Sequence, residues 1–218
     1  MTVQRFIRPA STHGVVSTPS PHGMRDIRTS EVGGVIWDRE PLASFQTWIG
    51  GLRPSRLPKA RVILRPAAIR DAVTAACDNA GTPDGPERRR LIDDVAALAH
   101  IFSDVMDARW MRLRVDVVTG NACRRFHVDR ITARLVCTYR GTGTQYGVSE
   151  TGDEDPQTIH TVATGSPLVM RGTLWPTRPD QGLRHRSPPI EGTGETRLVL
   201  VLDPVADPAD EAESDIVH

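Results

Sequence analysis

A change of hydrophobic period near residue 108 constrains this chain more than any other feature of its sequence. Upstream, apolar residues recur every three or four positions. Leu91, Val95, Leu98, Ile101, Phe102 and Val105 fall on one face of a helix predicted over 86–107 and opened by Pro86. Downstream, residues 109–118 alternate: Met111, Leu113, Val115 and Val117 share one face, while Trp110, Arg112, Arg114 and Asp116 share the other. That period of two predicts a strand. Further strand-like runs follow at 124–129, 133–140, 158–163, 166–171 and 196–203, separated by turn-rich pieces at 141–147, 151–156, 176–182 and 188–194. Helices first and short strands afterwards predict an α+β protein whose second half is a β-sandwich or barrel.

The remaining segments fit that division. Residues 1–34, rich in Ser, Thr, Pro, Gly and Arg with little apolar periodicity, read as a flexible arm. Residues 35–108 read as a mostly helical region. A short extended entry at Val35, Ile36 and Trp37 precedes a helix after Pro41 that carries Leu42, Phe45, Trp48 and Ile49 and stops at Gly50 and Gly51. Residues 61–65 suggest a short strand, and Pro66 introduces a helix over 67–79 with Ile69, Val73 and Ala76 on one face. Residues 109–205 form the β-rich region, and 206–218 an acidic tail.

Charge and cysteine usage narrow the function classes. Twenty-seven basic residues balance 27 acidic ones, so no overall basic field points to nucleic acid or to an anionic membrane. All the basic residues except Lys59 are arginine, a bias read as that of a GC-rich bacterial genome. No apolar run approaches the roughly 18 residues of a membrane span, and the opening residues lack the apolar stretch of a secretory signal. Cys77, Cys123 and Cys137 are odd in number and far apart, which fits a reducing cytoplasm. Cys123 and Cys137 read as small buried hydrophobes.

The chemistry concentrates in the segment Cys123-Arg-Arg-Phe-His127-Val-Asp129. On a strand, His127 and Asp129 project to the same face and offer one nitrogen and one carboxylate donor. His185 follows 58 residues later. Two histidines and one carboxylate can occupy one face of an octahedral metal, a donor set suited to non-haem Fe(II). Arg197 heads the apolar run Leu198 to Leu202, where a lone guanidinium requires an anionic partner such as a carboxylate. Tyr139, sharing parity with Leu135 and Cys137, is placed to donate its phenol to the same carboxylate. Plainer readings stand beside these: a surface ion pair for His127 and Asp129, a turn-capping His185, His160 in its place as ligand, Arg197 paired with Glu195 or Asp203, and Tyr139 as core with a satisfied hydroxyl.

The order His127-x-Asp129, His185, Arg197 resembles the layout of Fe(II)/2-oxoglutarate oxygenases on a double-stranded β-helix. More narrowly, the stretch from Cys123 to Tyr146, His185 to Ile190, and Arg197 to Pro204 resemble an uncharacterised bacterial family, domain of unknown function 1826, as does the GVIWDR stretch near residue 34. The resemblance implies N-terminal helices packed on a C-terminal jelly-roll barrel. It implies Fe(II) held by His127, Asp129 and His185, and 2-oxoglutarate held by Arg197 and Tyr139. It further implies a small-molecule or amino-acid-like substrate contacted by Arg125 and Arg186. Relatives in that family often lie beside genes of zinc homeostasis, which implies an alternative: a cupin-like protein that binds Zn2+ without redox chemistry.

Overall fold

The computed structural model describes residues 14–149, 154–177 and 182–209. Ten strands and three α-helices account for most of them: β1 (Val15–Thr18), β2 (Gly34–Trp37), α1 (Ala43–Gly51), β3 (Ala60–Leu64), α2 (Ile69–Asn79), α3 (Pro86–Met106), β4 (Trp110–Val118), β5 (Ala133–Arg140), β6 (Gln145–Val148), β7 (His160–Thr161), β8 (Pro167–Arg171), β9 (Leu183–Arg186) and β10 (Arg197–Val205). Seven strands form one sheet in the order β1-β2-β8-β5-β10-β4-β3, and three form a smaller sheet in the order β7-β6-β9. None of the described helices is long and apolar enough to cross a membrane.

The strand alternation explains why the large sheet is covered on both sides. In β10, Leu198, Leu200 and Leu202 belong to the same apolar cluster as Leu91, Val95, Leu98 and Phe102 of α3. Val199 and Val201, one residue out of phase, join a second cluster with Val136, Leu168, Met170 and Leu183. The two clusters lie on opposite faces of the large sheet, and a strand buried on both faces reads as a continuous apolar run. Each fully buried leucine or phenylalanine contributes roughly 1.5–3 kcal/mol of transfer free energy to this arrangement. Helix α3 begins with Pro86 at its first position and ends on Asp107, which takes the left-handed conformation at φ 53°.

Two expectations are corrected. Of the segment read as a flexible arm, residues 14–34 are ordered: β1 pairs in parallel with β2, and a 3-10 helix at Pro21–Arg28 buries Met24 and Ile27. The apolar spacing there is too short to reveal a helix by periodicity. Residues 1–13 lie outside the described residues, as do 210–218 of the acidic tail. The region read as mostly helical holds α1, α2 and α3, and its two expected extended segments become β2 and β3 in opposite parts of the large sheet. The strand expected at 124–129 is reduced to an isolated bridge between His127 and His185.

Candidate metal centre

His127 and His185 are brought together by backbone. Each residue's amide donates to the other's carbonyl at 3.0 Å, and Ser187 N donates to Cys123 O at 2.9 Å. The rings sit side by side with centroids 4.4 Å apart. Asp129 is held by the turn that follows β8: Thr173 N donates to Asp129 O at 2.9 Å, and Gly172 N to Thr132 O at the same distance. Glycine is required at 172 because a Cβ would fall 2.0 Å from the Ile131 carbonyl oxygen.

The side chains converge. Asp129 Oδ1 lies 3.5 Å from His127 Nε2, and Asp129 Oδ2 lies 3.1 Å from His185 Nε2. One donor atom from each of the three residues falls within 4.8 Å of the other two. His127 Nδ1 is 2.9 Å from the Arg125 carbonyl oxygen, which can only accept. A proton on Nδ1 meets that carbonyl, so the imidazolium donates from Nε2 to Asp129, and the neutral ring that remains when this proton leaves presents its Nε2 lone pair on the same side. Asp129 Oδ2 is buried and no donor meets it with hydrogen-bond geometry, although Arg134 Nη1 approaches to 2.6 Å. A buried carboxylate oxygen short of a donor, facing two imidazole nitrogens, is the arrangement a divalent cation completes. The residues present fit Fe(II) and fit Zn(II) as a donor set.

Electrostatics support ligand roles. Burial works against ionisation of Asp129, but both histidines and Arg134 outweigh it and hold the carboxyl well below the usual carboxylate range. The hydrogen bond to Asp129 raises the His127 pKa against the opposing effect of burial. Burial lowers that of His185, favouring the neutral imidazole.

Arg197 lies on the same face of β10 as Val199 and Val201 and is only 1% exposed. Its Nε donates to Thr142 O at 2.7 Å and its Nη2 to Thr138 Oγ1 at 3.4 Å. No carboxylate among the described residues makes an ion pair with it. Glu195 is occupied by Thr142, accepting from its amide at 2.6 Å and its hydroxyl at 3.0 Å. Burial lowers the Arg197 pKa to about 10, with the nearby Glu195 charge opposing. A buried guanidinium bonded only to neutral oxygens has capacity for an anion.

Other expected site residues are placed elsewhere. Tyr139 faces the helices: its hydroxyl donates to Asp94 Oδ2 at 2.7 Å, and its ring meets Phe45 edge-on at 6.2 Å. Its parity with Leu135 and Cys137, both in the helix-side cluster, already assigns it to that face. Arg186 alternates with His185 on β9 and so points away from the triad. Its Nε donates to Gln145 Oε1 at 2.8 Å and its guanidinium covers the Phe126 ring. Arg125 is exposed and contributes its carbonyl to His127. His160 is outside the cluster of donors and stacks on Tyr146 at 5.2 Å. Cys137 is buried, whereas Cys123 is exposed.

Two residues emerge only from the coordinates. Tyr146 stands opposite His185 in the β6–β9 register, so its ring shares the face of the triad. It lay hidden in a segment read as a turn. Arg134 is gripped by Asp203, Nε to Oδ1 at 2.7 Å and Nη2 to Oδ2 at 2.8 Å, and reaches Asp129 with Nη1. The reasoning that singled out Arg197, a guanidinium at the head of an apolar strand, applies equally to Arg134 before Leu135.

Comparison with known proteins agrees with this geometry. The dioxygenase for auxin oxidation 1 from Arabidopsis thaliana, solved with 2-oxoglutarate, superposes with a TM-score of 0.53 at 9% identity, over 88% of this chain and 92% of that one. The dioxygenase for auxin oxidation from rice superposes with a TM-score of 0.50 at 14% identity, over 90% and 84%. These likenesses establish a shared double-stranded β-helix fold. No curated protein matches the sequence. Residues 18–203 match the family described as "Protein of unknown function (DUF1826)", and the chain belongs to that family.

Proposed function

We propose that this chain is a non-haem Fe(II)- and 2-oxoglutarate-dependent oxygenase acting on a small-molecule substrate. The convergence of His127 Nε2, the Asp129 carboxylate and His185 on one point carries the reading. The auxin dioxygenases, which share the fold, act as oxygenases, and one was solved with 2-oxoglutarate.

His127, Asp129 and His185 would hold the metal. Bound Fe(II), with 2-oxoglutarate as the source of two electrons, supplies the activation of dioxygen for oxidation of a C–H bond. The chain's own residues prepare for this. Arg125 O holds the Nδ1 proton of His127, so the neutral ring presents Nε2 to the metal. Arg134 and the histidines keep Asp129 ionised. Arg197, buried between the sheets, accepts the distal carboxylate of 2-oxoglutarate in a forked pair, with Thr138 beside it. The apolar wall of Val136, Leu168, Met170, Val199 and Val201 limits water around the bound acid.

Anaerobic loading with Fe(II), metal analysis and a succinate-release assay with 2-oxoglutarate test the reading. One equivalent of metal and metal-dependent succinate are expected. Tight Zn(II) binding with no affinity for 2-oxoglutarate would instead make the chain a non-redox metal protein of cupin type. The unpaired Arg197 argues against that alternative, since a zinc carrier gains nothing from a buried cation beside its site.

A further inference from the structure

Two guanidinia share one carboxylate beside the metal ligands. Arg134 occupies both oxygens of Asp203, which is 1% exposed. Arg114, opposite Val201 in the β4–β10 register, reaches the same carboxylate only at 3.8 Å through Nη2. Its Nε is buried and without a hydrogen-bond partner. The neighbouring charges do not remedy this. Asp116, two residues along β4, attracts Arg114 without bonding to it, while Arg61 of β3 and Arg134 repel it. Asp129, the other carboxylate within reach of Arg134, faces both histidines as well and is a ligand once a metal is bound. With Asp129 taken up as a metal ligand, Asp203 is the carboxylate that the two guanidinia share, and Arg134 already holds both of its oxygens. The side chains of Arg114, Arg134 and Asp129 retain 21%, 15% and 18% exposure, so the cluster is reachable from solvent.

We infer that Arg114, with Arg134, forms a second anion-binding site that receives an oxyanion group, carboxylate or phosphate, of the primary substrate beside the metal. This rests on the oxygenase reading for the identity of the substrate, but the anion site itself rests on the two guanidinia. An oxyanion supplies the acceptor that Arg114 Nε lacks and relieves the repulsion between the two cations. Arg197 serves 2-oxoglutarate and lies at the opposite end of β10 from Asp203, so the two anion sites are separate. The reaction would then act on an organic acid or a phosphorylated compound, anchored by its anionic end while a carbon beside it is oxidised.

Inorganic sulfate is the probe. Calorimetry is run on the full chain loaded with redox-inert Zn(II) and saturated with 2-oxoglutarate, and repeated on the metal-free protein. One sulfate per chain is expected. Arg114→Gln is expected to weaken sulfate binding about tenfold or more, the loss of one charge-assisted bond, while shifting 2-oxoglutarate affinity less than about twofold. Arg114→Lys, which keeps the charge and loses the fork, falls between and covers the case in which the glutamine variant does not fold. Absence of saturable sulfate, or sulfate binding indifferent to Arg114, overturns the inference. Equal weakening of sulfate and 2-oxoglutarate also overturns it, because the site then belongs to the cosubstrate. If 2-oxoglutarate does not bind at all while sulfate still depends on Arg114, the oxygenase reading falls and the anion site stands.

Discussion

The backbone amides of His127 and His185 donate to each other's carbonyls, both at 3.0 Å, so the two imidazoles are positioned by main chain before any metal arrives. They come from positions 58 residues apart in the chain, and a reciprocal hydrogen-bonded pair fixes them side by side. The site is in this sense preorganised. The cost of gathering its ligands is met by folding, and the metal's binding energy is not spent on rearranging the chain.

Replacement of either histidine tests that arrangement. His127→Ala and His185→Ala each remove one of three donors and leave the backbone pair intact. Affinity for Fe(II) under anaerobic conditions is expected to fall beyond the roughly 10–100-fold typical of losing an outer partner. The thermal midpoint of the metal-free protein is expected to change little for His127, which is partly exposed. Anaerobic calorimetry and metal analysis provide both readings. Unaltered stoichiometric binding in either variant would remove that residue from the ligand set.

Arg197 offers a test in which stability and binding move apart. It is buried and bonded only to neutral oxygens, and its charge is disfavoured there. Arg197→Met removes an uncompensated cation from the metal-free protein, so its midpoint of unfolding is expected to stay level or rise. Binding of 2-oxoglutarate to the Zn(II)-loaded protein is expected to weaken by about 10–150-fold, the equivalent of roughly 1.5–3 kcal/mol for a charge-assisted pair. Paired unfolding and calorimetry measurements decide. A large loss of stability with unchanged affinity would make Arg197 a structural residue.

Much of this site was legible because its chemistry sits on regular strands. Parity along β10 separates Leu198, Leu200 and Leu202 from Val199 and Val201, and places Arg197 with the valines. Spacing alone put His127 and Asp129 together, although the strand proposed for them is an irregular segment held by one bridge. Tyr139 faces the helices for a reason already present in the sequence: its parity with Leu135 and Cys137 is that of the helix-facing side. Tyr146 and β1 were hidden because Gly143, Gly147 and the Ser-Pro-rich stretch before residue 21 carry turn composition into paired strands. Arg134 was unreadable in its role, since its partner Asp203 lies 69 residues away and only the β5–β10 register brings them together.

Tyr139→Phe separates the helix-facing layer from the site. The hydroxyl donates to Asp94 Oδ2, which also accepts from Arg39, in a network tying β5 to α3. Its removal is expected to cost about 1.5 kcal/mol, measured by urea unfolding, with 2-oxoglutarate affinity unchanged. A variant of native stability with weakened 2-oxoglutarate binding would restore Tyr139 to the cosubstrate.

Acid should find Asp129. Its folded pKa is depressed far below its ordinary value, so the ionised carboxylate contributes stability above about pH 4 that is lost as pH falls toward its folded pKa. The two histidines work against each other in the higher window. His127, raised, adds stability below about pH 6.5 that disappears as pH rises through its folded pKa, whereas His185, lowered, subtracts stability as pH falls below about 6.5. Urea unfolding of the metal-free protein is therefore expected to show a shallow profile from pH 6 to 8 and a decline below pH 4. Asp129→Asn is expected to flatten that decline, and an unchanged acid limb in the variant would assign it to other carboxylates.

Asp203 is the residue on which the inner charges depend. Removing it by Asp203→Asn leaves Arg134 and Arg114 facing one another with Asp129 as their nearest acceptor. Breaking a buried pair from one side costs roughly 3–5 kcal/mol, and the unfolding midpoint should fall accordingly. Arg134 should also lose its orientation toward Asp129, weakening the metal by roughly 10–100-fold as outer partners do. Sulfate at concentrations well above its dissociation constant should recover part of the lost stability in Asp203→Asn, because an anion bound only by the folded state stabilises it by mass action. The same sulfate series on Asp203→Asn combined with Arg114→Gln should show a smaller recovery. Equal recovery in both, followed by thermal unfolding, would mean that sulfate acts through general exclusion from the surface and not at the two guanidinia.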